Sequence, residues 1–137
     1  MSQTETKVLV ERYVDAFNNG DNQTMLDCLD DDVAHDVNEG GREIGKDKFK
    51  SFLGMMDKHY KEQLADVVIM TNETGSRAAA EFTVHGEYLA TAEGLPEANG
   101  QRYSVPGAIL FEIDGGRISR VTTYYNLQNW IAAVSKG

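Results

Sequence analysis

The N-terminal part of the chain repeats its hydrophobic residues at the spacing of an α-helix. Val10, Val14 and Phe17 recur every three or four positions, which places them on one face of a helix. Asp21 is a residue type that caps helix N-termini, so a second, short helix follows it. Asn126 can cap a last helix in the same way. The predicted helices cover residues 3–18, 22–29, 46–60 and 127–134.

Between the third and fourth helices the pattern changes to that of β-strands. Residues 64–71 are rich in β-branched side chains, and residues 114–116 (DGG) are a hairpin signal. Because helices precede antiparallel strands, we predict an α+β fold with helices covering one face of a curved sheet. Proline cannot donate to a sheet ladder, so we expect a bulge or bend at residues 106–107 (PG). The predicted strands cover residues 64–71, 77–88, 101–113 and 117–126.

The predicted strand over residues 77–88 has two faces of different character. Burial alone places the apolar face in the core and the polar face in solvent. The apolar face consists of Ala78, Ala80, Phe82, Val84, Gly86 and Tyr88, and the polar face of Arg77, Ala79, Glu81, Thr83, His85 and Glu87.

Composition limits the classes of function. With 137 residues, we expect one domain over residues 1–137. A net charge of −9 repels phosphate backbones, so we expect no nucleic-acid partner. One cysteine, Cys28, excludes an internal disulfide, and no histidine pair has metal-ligand spacing, so we expect no metal. Without a bilayer-spanning run or a signal-peptide pattern, we expect a cytoplasmic protein with no membrane partner. The acidic run at 30–32 is expected in a solvated turn.

Two stretches carry a resemblance to a known family. They are residues 12–21 (RYVDAFNNGD) and residues 34–46 (AHDVNEGGREIGK). Together with the C-terminal hairpin and its YYN sequence at 124–126, they resemble the NTF2-like superfamily, and within it the SnoaL-like and ketosteroid isomerase branch. The resemblance implies an α+β cone in which N-terminal helices pack on the concave face of a curved antiparallel or mixed sheet. It also implies an enzyme that needs no cofactor.

The resemblance further implies an enclosed pocket for a small-molecule ligand, and it reverses the two faces of strand 77–88. Glu81, Thr83 and His85 then point into the pocket. The apolar face, with Phe82, is then buried against a second subunit of a homodimer formed through the convex face of the sheet. The other pocket residues implied by the resemblance are Phe52, Met56, Tyr103, Val105, Val121, Thr123, Tyr125 and Trp130.

Tyr13 and Asp36 are the residues that the resemblance assigns to catalysis. In ketosteroid isomerases the matching tyrosine donates a hydrogen bond to the substrate oxyanion, and the matching aspartate moves the proton. Apolar surroundings would raise the pKa of Asp36 and make it a better base near neutral pH. A solvated position at the strand end is the alternative for this residue. His85 with Glu81 is a second candidate acid–base pair.

The expected function is general acid–base catalysis, of the isomerase or cyclase type, on a small carbonyl-containing molecule. Ketosteroid isomerases carry a second acid whose matching position here is Ala108. Strict steroid isomerase activity is therefore not expected, and a smaller or more polar substrate is. The alternative is a non-catalytic ligand-binding protein or a dimeric scaffold with the same fold.

Overall fold

The helices and strands of the computed structural model, which describes residues 2–135, confirm the predicted α+β fold. In chain order they are α1 (Gln3–Asn18), α2 (Asn22–Asp27), β1 (Leu29–Asp36), β2 (Arg42–Ile44), α3 (Lys46–His59), β3 (Tyr60–Thr71), β4 (Arg77–Tyr88), β5 (Arg102–Asp114), β6 (Arg117–Tyr125) and α4 (Leu127–Ser135).

Within residues 2–135 the strands form one curved sheet in the order β2-β1-β6-β5-β4-β3. Neighbouring strands are antiparallel, except that β1 and β6 are parallel. Several element boundaries differ from the sequence prediction by one or two residues, and two differences are larger. β3 starts at Tyr60 rather than at residue 64. The acidic run at 30–32 lies in β1 and not in a turn; a strand tolerates it because Asp31 and Asp32 are exposed while Leu29 and Val33 are buried.

A bulge or bend was predicted at residues 106–107, and no bulge is found in the pairing of β4 with β5. The register of β4 with β5 is continuous there, with Phe82 opposite Gly107 and Thr83 opposite Pro106. The pairing of β5 with β6 ends at Gly107, so Pro106 lies beyond it and has no neighbouring strand on that side. The missing N–H of the proline therefore disrupts no ladder on that side.

The inner face of the sheet is the apolar face of β4, as burial alone predicted. Ala78, Ala80, Phe82, Val84 and Tyr88 are buried beneath the helices. The assignment drawn from the resemblance is therefore wrong for this strand. The apolar residues fill the protein's own core and cavity wall, and they are not available to cover a second subunit.

The end of α1 is attached to the edge strand β3 by a two-way hydrogen bond. The Asn18 side chain accepts from the Leu64 backbone N–H (2.8 Å) and donates to the Leu64 carbonyl oxygen (3.0 Å). The two hydrogen bonds satisfy backbone groups of the edge strand that have no neighbouring strand, and they fix the helix against one side of the cavity described below. No helix within residues 2–135 is long and apolar enough to cross a membrane.

Candidate functional site

A cavity of about 550 Å³ lies between the helices and the inner face of the sheet. Of the predicted pocket residues, Tyr103 and Val105 are buried nearby but are not part of the cavity wall. Thr83 lies on the opposite face of the sheet. The predicted residues that do line the cavity are Tyr13, Phe52, Met56, Val121, Thr123, Tyr125 and Trp130.

Glu62 brings a carboxyl group into this largely apolar cavity. Its Oε2 atom accepts a hydrogen bond of 2.5 Å from the Tyr103 hydroxyl. The two residues belong to different strands, with Gly86 of β4 paired to both of them. A Cβ atom on Gly86 would overlap the Tyr103 ring and hydroxyl. Glycine at this position therefore lets the tyrosine lie across β4 and reach Glu62.

Burial changes the proton affinity of this pair. Loss of water around Glu62 raises the pKa of its carboxyl above the ordinary 4.5, and the hydrogen bond from Tyr103 opposes part of that rise. Burial, together with the nearby carboxylate, raises the pKa of Tyr103 as well, so the phenol remains a neutral donor. A carboxyl group with a raised pKa is suited to exchange protons near neutral pH.

His35 is the second titratable group in the cavity wall. It is only 3% exposed and is enclosed by Phe49 and Phe52, with ring centroids at 4.6 and 4.5 Å. Desolvation lowers the pKa of His35, so the ring is neutral at neutral pH. Its Nδ1 atom has no hydrogen-bond partner among residues 2–135.

Tyrosine hydroxyls complete the polar part of the wall. Burial raises the pKa of Tyr13, of Tyr125 and of Tyr60, the last to about 12. All three are therefore neutral hydrogen-bond donors at neutral pH. Tyr13 is held by an edge-to-face contact with Phe111, whose ring centroid is 5.4 Å away. Tyr13, which the resemblance assigned as the oxyanion donor, therefore lines the cavity.

Asp36 does not line the cavity, which corrects its predicted role as the base. Successive side chains of a strand point to opposite faces, and on β1 the inward position belongs to His35. Asp36 forms a bidentate ion pair with Arg42 (2.6 and 3.0 Å) and accepts from the Thr122 hydroxyl (2.6 Å). These contacts hold the pKa of Asp36 far below its usual range, and the hydrogen bond from Arg42 has the largest effect. The direction is opposite to the predicted rise.

Asp36→Asn should therefore destabilise the fold and leave chemistry in the cavity intact. We expect a loss of about 1–2 kcal/mol at pH 7, since Arg42 is about half exposed and water weakens the pair. Because the folded-state pKa is depressed, the stabilisation is present above the ordinary aspartate value and is lost as pH falls below about 4. Thermal melts against pH measure this. The control is Asp31→Asn on the same strand, whose carboxylate is 92% exposed.

The second predicted acid–base pair is also outside the cavity. Glu81 and His85 are exposed on the outer face of β4, and His85 Nδ1 lies 2.6 Å from the Ser104 hydroxyl rather than near Glu81. The physical reason is the strand alternation that buries the neighbouring apolar residues. Ala108 likewise faces outward, and its neighbours Gly107 and Ile109 line the cavity, so β5 supplies no acid to it.

Glu62 was missed from the sequence because the predicted strand started two residues after it. With β3 starting at Tyr60, the alternation of Tyr60, Glu62 and Leu64 places all three on the inner face. A carboxylate between two inward apolar positions was the available signal. His35 and Asp36 alternate along β1, and the resemblance assigned the wrong member of this pair to the cavity.

No group of three or more histidine, cysteine, aspartate or glutamate side chains between residues 2 and 135 is arranged to hold a metal ion. The groups in the cavity wall that can donate or accept a proton include Glu62, His35 and Tyr13.

Comparisons with known proteins agree with this fold. A SnoaL-like domain model matches residues 10–121. A proposed polyketide cyclase from Xanthomonas campestris is 51% identical, with a TM-score of 0.95 over 98% of this chain and 99% of that one. Another from Pseudomonas putida is 53% identical, with a TM-score of 0.92 over 98% of each chain.

A third proposed polyketide cyclase, from a Silicibacter species, is 51% identical, with a TM-score of 0.94 over 98% of both chains. A search of the curated proteins found no match. The match of the domain model over most of the chain, together with these structures, shows that the chain belongs to the family of SnoaL-like domains, with the NTF2-like fold.

Proposed function

We propose that this protein catalyses proton transfer on a small carbonyl-containing molecule enclosed in the cavity, in a reaction of the cyclase or isomerase type. The observation that carries the proposal is Glu62, a carboxyl group held by Tyr103 inside an apolar cavity. The raised pKa of Glu62 fits a general base that must also return its proton. The three relatives described as proposed polyketide cyclases support ring-forming carbonyl chemistry.

In the proposed reaction, the Glu62 carboxylate takes a proton from the carbon next to a carbonyl group. The electrons of the C–H bond move onto the carbonyl oxygen, and this enolate accepts a hydrogen bond from the neutral Tyr13 hydroxyl. In an isomerisation, protonated Glu62 returns the proton to another carbon. In a cyclisation, the enolate carbon attacks a second carbonyl carbon, and the alkoxide formed there takes the proton from Glu62. Side chains alone carry these steps, so the proposal needs no cofactor.

Deuterium exchange tests the proposal. The ketone 2-tetralone has activated C–H bonds and an apolar body that fits a cavity of about 550 Å³. Proton NMR in deuterated buffer should show the protein accelerating loss of the α-proton signal. If 2-tetralone raises the melting temperature and its exchange stays at the buffer rate, the protein is a ligand-binding module and the catalytic proposal fails.

We also propose that two copies pair through the outer face of the sheet. Exposed apolar side chains lie there in register, with Met70 of β3 and Leu110 of β5 both opposite Ala79 of β4. Arg77 and Glu112 beside them form an ion pair, so this face carries both charges and complements a second copy of itself.

The expected location of the protein remains the cytoplasm.

Leu110→Lys should give a folded monomer, because two copies of a buried unpaired charge would meet at the symmetric contact. Light scattering after gel filtration gives the mass. Val8→Lys is the matched control, since Val8 is 60% exposed on α1, away from the sheet face, and should leave the mass unchanged. A wild-type protein that is monomeric at high concentration rules out this interface.

A further inference from the structure

Two buried nitrogen atoms in the cavity wall have no hydrogen-bond partner among residues 2–135. They are Nδ1 of His35 and Nδ2 of Asn38. Burying a polar atom without a partner destabilises the fold, so folded proteins seldom keep one without a use. Here two of them occur within four residues of one another, in the same wall. Neither is used in the proton transfer proposed for Glu62.

The Asn38 amide has a defined orientation. Its Oδ1 atom accepts from the backbone N–H of Tyr125 at 3.4 Å, so the NH₂ group is the end left to donate. The turn that carries Asn38 is closed by a hydrogen bond from the Gly40 N–H to the Val37 carbonyl oxygen (2.9 Å). This turn therefore holds Asn38 in the cavity wall on a fixed backbone, as a recognition group requires.

Tyr125 connects this amide to the proposed proton-transfer group. Burial raises the pKa of Tyr125; the Asn38 side chain opposes that rise and the negative charge of Glu62 adds to it. Tyr125 is thus within electrostatic reach of both residues. Glu62 and Asn38 both line the cavity, so a single ligand that fills it lies beside both residues.

We infer that His35 and Asn38 form a polar subsite that binds two oxygen atoms of the substrate. Asn38 Nδ2 donates to a carbonyl or enolate oxygen, and His35 Nδ1 pairs with a hydroxyl group. The substrate class is a hydroxylated or enolised carbonyl compound with an otherwise apolar, ring-sized body. The inference rests on the proposed function in one respect, that the oxygen bound by Asn38 belongs to the reacting carbonyl group. Binding of the two oxygen atoms does not depend on turnover.

Calorimetric titration with two stable probes tests the subsite. The probes are 1,3-dihydroxynaphthalene, which has two oxygens, and 2-naphthol, which has one. The wild type should bind the two-oxygen probe about tenfold more tightly, the scale of one additional satisfied hydrogen bond. In His35→Phe this preference should fall to near unity. In Asn38→Leu both probes should bind about tenfold more weakly.

A matched control and a second readout guard against misfolded variants. Thr83→Val, which removes a hydroxyl on the outer face, should bind both probes like the wild type. In the wild type, the side-chain ¹⁵N–¹H signals of Asn38 should shift when 1,3-dihydroxynaphthalene is added. Either equal affinity for the two probes or unshifted Asn38 signals overturns the subsite.

The outcome for the subsite is separable from that for the proposed function. Glu62→Gln should retain the preference for the two-oxygen probe while losing proton exchange. A protein that prefers the two-oxygen probe without exchanging protons keeps the subsite and loses the catalytic proposal. A protein that exchanges protons and shows no preference keeps the catalytic proposal and loses the subsite.

Discussion

Replacing Glu62 with glutamine should lower proton exchange by about 100-fold or more, the scale of losing a general base. Glutamine has the shape of the acid, and its carbonyl oxygen can still accept from the Tyr103 hydroxyl, so the cavity should keep its form. Substrate affinity should change little, which places the loss in kcat. Exchange of 2-tetralone, followed by NMR over a range of concentrations, measures both quantities.

Stability should change in the opposite direction to activity. The folded-state pKa of Glu62 is raised, so its contribution to stability is present at acidic pH and is lost as pH rises through that pKa. Glu62→Gln should therefore melt at a higher temperature than the wild type at pH 8 and at a similar temperature at pH 4. Glu81→Gln, an exposed acid on the outer face, is the control for both measurements. A Glu62→Gln variant with wild-type exchange removes Glu62 from the mechanism.

Gly86→Ala should destabilise the protein by about 1–3 kcal/mol, the usual cost of overfilling a packed site. The new Cβ atom would overlap the ring of Tyr103 and push it away from Glu62. The hydrogen bond from Tyr103 lowers the pKa of Glu62, so its loss should raise that pKa further and move the pH profile of exchange to higher pH. Urea unfolding and exchange rates against pH measure the two effects.

A double-mutant cycle isolates the contact between Gly86 and Tyr103. Tyr103→Ala removes the ring, so adding Gly86→Ala to it should cost less than about 0.5 kcal/mol. If Gly86→Ala is equally destabilising with and without the ring, the strain arises elsewhere and the proposed positioning of Tyr103 is wrong.

Most of the fold could be predicted from the sequence because its signals are local. The alternation along residues 77–88 fixed both the strand and its buried face, and observed β4 has the same bounds. The capping residue Asp21 likewise located the start of α2, where its side chain accepts from the Thr24 N–H. The continuous register at Pro106 could not be predicted, because it depends on where the pairing with β6 ends.

The site was harder to predict because it depends on which face of each strand turns inward. A shift of one residue moves a side chain to the other face, and this separates His35 from Asp36. The prediction placed Tyr13 at the cavity correctly, because a helix carries this residue and its position does not depend on which residues of β1 face inward. The Glu62–Tyr103 contact spans three strands and requires Gly86, so no local pattern indicates it.

Titration of Glu62 itself tests most directly whether this half-buried acid is suited to proton transfer. Carbon-13 NMR of the glutamate carboxyl groups, with the Glu62 signal assigned by its absence in Glu62→Gln, follows that titration. We expect a midpoint above the ordinary value of 4.5 and a further rise in Tyr103→Phe. A midpoint at or below 4.5 would show a solvated carboxylate and would remove Glu62 as the general base.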